Sequence, residues 1–123
     1  MNPDKIHLEY KESLTEDYTK NYFEIIYDKN NGAFEYIYLY NSRYGTLEYK
    51  DGKKEIHKWE TEDEAQDGSY LNKNYPIICL DGVTDDRLLE NNIIEANMEY
   101  IKTLELQEEE TEIINSGIEF LKK

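Results

Sequence analysis

The sequence predicts an α+β fold: an antiparallel sheet of five to six strands, four of them a meander, with one or two C-terminal helices packed on one face. Three observations carry this prediction. Between Tyr22 and Trp59, short runs rich in Tyr, Ile and Phe are separated by turn chemistry. After Asp81-Gly82 the apolar spacing changes from two to three and four. The chain has 123 residues, which suits one ordinary domain, 1–123, and not two.

In chain order, Ile6, Leu8 and Tyr10 alternate with polar neighbours and suit a first strand. Lys11 to Asn21 is polar and gives no clear period; Thr15 is placed to cap a short helical turn with Tyr18 beneath it. Tyr22–Tyr27 reads as a strand, Lys29-Asn30-Asn31-Gly32 as a turn and Ala33–Tyr40 as the returning strand. Asn41 to Gly45 makes a second turn before Thr46–Lys50. Asp51-Gly52 is a hairpin signal, because both residue types accept positive φ cheaply, and Lys54–Trp59 returns. Glu60 to Asn74 is a long acidic connection, and Tyr75–Leu80 is a candidate sixth strand opened by Pro76.

Thr84 or Asp85 can cap the first helix, whose stripe is Leu89, Ile93, Ala96, Tyr100 and Leu104. A second helix is expected from about Gln107 to Leu121 on Ile113, Ile114, Ile118 and Leu121, with Gly117 weakening its middle by up to ~1 kcal/mol relative to alanine. No Gly or Pro separates Leu104 from Gln107, so the pattern alone allows one helix or two.

The chain is polar for a globular protein, at 34% charged and a mean hydropathy of −0.90, so the core must lean on its 12 Tyr and 3 Phe. Strict alternation sets Phe34, Tyr36, Tyr38 and Tyr40 on one side of their strand and Glu35, Ile37 and Leu39 on the other. One sheet face is then core. The other exposes tyrosines, which serve either as cross-strand ring contacts or as an aromatic contact surface.

Most enzyme chemistry has no carrier here. A single cysteine, Cys79, excludes an internal disulfide and a thiolate zinc site. His7 and His57 lie on expected strands with no Cys, His or Asp at ligand spacing, and no nucleophile elbow or Gly-rich phosphate loop is present. The segment from Asp81 fails as a calcium loop, since Asn92 stands where the closing Glu belongs. Asp28 with Glu48 and Lys50 sketches a metal-dependent nuclease site on adjacent strands. The same Glu-x-Lys recurs as Glu9-Tyr10-Lys11, and no net basic patch is available to hold a polyanion. The expectation is no catalytic residue, no metal and no cofactor.

Charge is the strongest functional signal. The net charge is −14, with 11 acids and 9 bases in residues 1–59 against 17 acids and 5 bases in 60–123. Two acidic clusters stand out: Glu60, Glu62, Asp63, Glu64 and Asp67, then Glu108, Glu109, Glu110 and Glu112. Such a field repels nucleic acid and attracts basic partners, and interleaved tyrosines let an acidic surface imitate a nucleic acid. No apolar run approaches the ~20 residues of a membrane span, and the first residues lack a signal pattern, so a soluble cytoplasmic protein is expected. In size and charge the chain resembles small acidic immunity proteins that neutralise bacterial toxin domains, and phage-encoded inhibitors of defence nucleases. No motif assigns it to either. The expected function is a protein inhibitor that occludes the active or nucleic-acid-binding site of a basic protein, using the two acidic clusters with Tyr36, Tyr38 and Tyr40. The alternative is an adaptor that self-associates through its tyrosine face.

Overall fold

The computed structural model describes residues 4–15, 18–58 and 86–122. Five strands form one antiparallel sheet in chain order: β1 (Lys5–Thr15), β2 (Tyr18–Asp28), β3 (Ala33–Asn41), β4 (Gly45–Lys50) and β5 (Lys53–Lys58). Two helices follow, α1 (Asp86–Ile101) and α2 (Glu108–Leu121). This is the α+β meander with C-terminal helices that the sequence predicts. The expected Tyr75–Leu80 strand, the acidic connection and the cap at Thr84 or Asp85 lie outside the described residues.

Thr15 and Tyr18 do not cap and underlie a helical turn, since β1 runs on to Thr15 and β2 begins at Tyr18. Cross-strand pairing carries both strands there, with Lys11 opposite Tyr22 and Glu12 opposite Asn21. The register then shifts around Ser13, a bulge that absorbs the irregular sequence there. The β4–β5 hairpin turns on Asp51 (φ 53°) and Gly52 (φ 79°), both left-handed, with Lys50 opposite Lys53. Two consecutive positive φ values match the right-handed twist of the strands, which is why Asp-Gly stands there.

The helices cover one sheet face. Leu8, Phe23, Ile25, Ile37, Leu39 and Leu47 rise from that face and are buried against Leu89, Ile93, Ile94, Tyr100, Ile114, Ile118 and Leu121. Each large side chain so buried contributes about 1.5–3 kcal/mol. Strict alternation fails at one place. Ile26 opposes Tyr36 but Tyr27 opposes Phe34, so Glu35 is the extra residue of a bulge. Phe34 is thereby turned from the tyrosine side to the core side, where its ring meets Tyr27 at 4.9 Å and Phe120 at 5.6 Å.

The helical layer is two helices. After Ile101 the chain tightens, with Thr103 N donating to Tyr100 O and Leu104 N to Ile101 O. The Thr103 hydroxyl also donates to Tyr100 O at 2.6 Å, so the last carbonyls of α1 are satisfied without glycine. Gln107 then opens α2 through a capping box with Glu110. In α1 the buried stripe is Leu89, Ile93, Ile94, Asn97 and Tyr100, while Ala96 is half-buried and Leu104 falls in the connection. Asn97 belongs there because its Nδ2 donates to Tyr40 O and Ile93 O, tying helix to sheet. Gly117 has a packing reason. A Cβ there would lie 3.3 Å from the Phe34 ring and 3.5 Å from Ile25, so glycine lets α2 sit close on the sheet.

Candidate functional site

The folding pattern sorts the charge by layer. Among the described residues, the sheet and its turns carry nine acids and nine bases. Residues 86–122 carry ten acids and three bases. The negative field of the described chain therefore sits on the helical side. Its densest part is the first turn of α2, where Glu108, Glu109 and Glu110 meet the positive end of the helix dipole.

These acids differ in what they touch. Glu110 accepts from the Gln107 backbone N–H at 3.2 Å and from the Tyr10 hydroxyl at 2.8 Å, so it joins α2 to β1. Burial, and then Glu110, push the Tyr10 hydroxyl up to about 12, which keeps it a donor. Glu109 pairs with Lys29 at 3.2 Å across two exposed side chains. Glu108 and Glu112 are exposed, and no ion pair holds them among the described residues. Beside α1, a groove of about 470 Å³ is lined by Glu12, Glu95 and Glu99 together with Lys20 and Arg43.

The sheet face away from the helices has its own order. The register places Glu9, Glu24, Tyr38, Glu48 and Glu55 in a single row across all five strands. One flanking row runs His7, Ile26, Tyr36, Lys50, Lys53 and the other Lys11, Tyr22, Tyr40, Thr46, His57. The tyrosine hydroxyls serve the carboxylates. Tyr22 donates to Glu9 at 2.7 Å and approaches Glu24 at 3.3 Å, and Tyr36 approaches Glu48 at 3.3 Å. Burial, then Glu48, pushes Tyr36 up to about 12; Tyr22 and Tyr38 are raised for the same two kinds of reason. Tyr36 and Tyr38 lie parallel at 6.3 Å along β3, and Tyr38 meets Tyr22 of β2 edge-on at 5.9 Å, so only the second ring contact is cross-strand packing. Tyr40 is half-buried and packs against the core cluster.

The structure does not gather the expected partner-binding residues into one surface. Glu108, Glu109, Glu110 and Glu112 lie in the helical layer, while Tyr36 and Tyr38 lie on the opposite sheet face. Glu60, Glu62, Asp63, Glu64 and Asp67 lie outside the described residues. The nuclease trio is not assembled either. Asp28 and Glu48 sit on β2 and β4 with β3 between them. The Asp28 carboxylate is buried and accepts from Asn30 N, Asn31 N and Asn31 Nδ2, which fixes the β2–β3 turn.

One grouping escaped the linear reading. A ring nitrogen of His7 and carboxylate oxygens of Glu9 and Glu24 all lie within 4.8 Å of one another, the one such set of three among the described residues. His7 and Glu9 are two apart on β1, and Glu24 is directly opposite Glu9. Only the β1–β2 register reveals it, and the ambiguous Lys11–Asn21 stretch concealed that register. No protein-family model, curated protein or solved structure matches this chain. Among the described residues no helix is long and apolar enough to cross a membrane.

Proposed function

We propose that the protein is a stoichiometric inhibitor that docks on a basic protein and occludes its active or nucleic-acid-binding site, in the cytoplasm, as an immunity protein or a phage-type inhibitor of a nuclease does. One observation carries this reading: the excess of acids is on the helical layer, ten against three, while the described sheet is balanced. A field of one sign on one layer steers a cationic partner toward that layer and orients it before contact.

Glu108, Glu109 and Glu112, joined by Glu95 and Glu99 on α1, are the carboxylates offered to Lys and Arg of the partner. Glu110 acts behind them by holding the helix start to Tyr10. Tyr36 and Tyr38 are not part of this surface, because they lie across the sheet from it. The acids at 60–67 stay in the proposal on sequence grounds alone.

The test is inhibition. Titrated into a set of basic toxin nuclease domains, the protein should abolish the activity of its target at one-to-one stoichiometry. Charge reversal of Glu108, Glu109 and Glu112 to Lys should slow association at low salt with little change in dissociation. If no basic domain is inhibited, the reading fails. The adaptor alternative draws on the stacked Tyr36–Tyr38 pair. Sedimentation distinguishes it, since a tyrosine-driven oligomer survives salt that dissolves an acidic-face complex.

A further inference from the structure

We propose that His7, Glu9 and Glu24 form a binding site for a divalent transition-metal ion of the zinc class. The site lies on the sheet face opposite the helical layer, so it stands or falls separately from the docking surface.

The donor set comes first. One imidazole nitrogen and two carboxylates project from two hydrogen-bonded strands, with the ligand atoms already within 4.8 Å of one another. Around a tetrahedral ion with bonds of about 2.0–2.2 Å, ligand atoms stand roughly 3.4 Å apart, so small side-chain rotations close the set. His7 Nε2 and Glu24 Oε2 are already in contact at 2.5 Å, and His7 is half exposed, so an ion has access from solvent. An imidazole donor favours zinc-class ions over magnesium and calcium, which prefer all-oxygen shells.

The backbone register supplies an independent reason. Glu9 and Glu24 are directly opposed on neighbouring strands, an arrangement that is unfavourable for like charges. One Tyr22 hydroxyl, with a single proton, is shared between them at 2.7 and 3.3 Å. A cation bound between the two carboxylates removes that repulsion. Tyr22 then has the role of an outer partner, fixing the orientation of Glu9 as outer-shell hydrogen bonds do for metal-bound carboxylates.

The experiment titrates Zn2+ into the full chain by calorimetry, with Mg2+ as the contrasting ion, and follows the His7 imidazole by NMR. The expected result is one Zn2+ per chain, perturbation of the His7 ring ahead of His57, and no comparable uptake of Mg2+. Outer-shell partners alone are worth about 10–100-fold in metal affinity, so H7Q and E24Q, removing direct ligands, should each weaken binding at least about tenfold. H57Q should bind as the unaltered chain does. Both ligand changes are at a surface, and far-UV circular dichroism checks that each variant remains folded. Absence of Zn2+ uptake by the unaltered chain overturns the proposal. So does uptake that folded H7Q retains in full, which would mark adventitious contact with surface carboxylates.

Discussion

Two buried asparagines show how this fold satisfies polar groups at the edge of a small core. Asn41 Nδ2 donates to Asn21 Oδ1 at 2.7 Å, and Asn21 Nδ2 donates to Glu12, linking β1, β2 and β3 at one end of the sheet. Asn41 Oδ1 also accepts from the Arg43 and Tyr44 backbone N–H groups, so one buried side chain sets the β3–β4 turn. Asn41→Ala should therefore cost about 1–3 kcal/mol in urea unfolding, because it leaves buried donors and an acceptor unpaired. The tyrosines give a pH signature. In the folded chain Tyr10 and Tyr36 hold their protons until about 12, against an ordinary value of 10.0. Above the ordinary value the unfolded chain binds fewer protons than the folded one, so stability falls as pH rises. The contribution is complete below pH 10.0 and lost on passing about 12, which denaturant melts across that window should record. Y10F and Y36F should flatten the fall.

At the scale of elements, two of the contacts that seat α2 can be tested separately, one at its first turn and one at its middle. Tyr10 and Glu110 join β1 to the helix start, and a Y10F/E110Q double-mutant cycle should return a coupling of about 0.5–1.5 kcal/mol or somewhat more for the charged acceptor. Gly117 lies against Phe34 and Ile25, so Gly117→Leu should destabilise by about 1–3 kcal/mol through overpacking, despite leucine's higher helix propensity. The meander was legible in the sequence because its turns are written in local chemistry, Asn-Gly and Asp-Gly above all. The split between the helices was also written, in the Gln107–Glu110 capping box, but a search for Gly or Pro passes over it. Two features had no local signal. The bulge at Glu35 comes from pairing between strands, and it moved Phe34 into the core. The continuation of β1 to Thr15 and the start of β2 at Tyr18 depend on each strand supplying the other's partners, since neither shows a hydrophobic period. The His7–Glu9–Glu24 grouping was hidden for that same reason.

At the scale of the molecule, the described residues separate charge between layers, with a balanced sheet beneath an acidic pair of helices. Like charges crowded on one layer repel, so moderate salt should raise the unfolding midpoint modestly by screening them over about 8–10 Å. The acids that open α2 also gain from the helix dipole, so reversing Glu108 or Glu109 to Lys should cost about 0.3–1 kcal/mol each even while it relieves repulsion. The acidic start of α2 was legible as composition, yet its separation from Tyr36 and Tyr38 was not, because it follows from which face the helices cover. The most direct test of the proposed docking surface is amide chemical-shift mapping of the full chain with an Arg- and Lys-rich peptide, at low salt and at about 0.5 M salt. The account predicts shifts concentrated on the outer faces of α1 and α2, around Glu95, Glu99, Glu108, Glu109 and Glu112, that disappear at high salt. Shifts centred on the Tyr36–Tyr38 face, or scattered evenly over both layers, would contradict it.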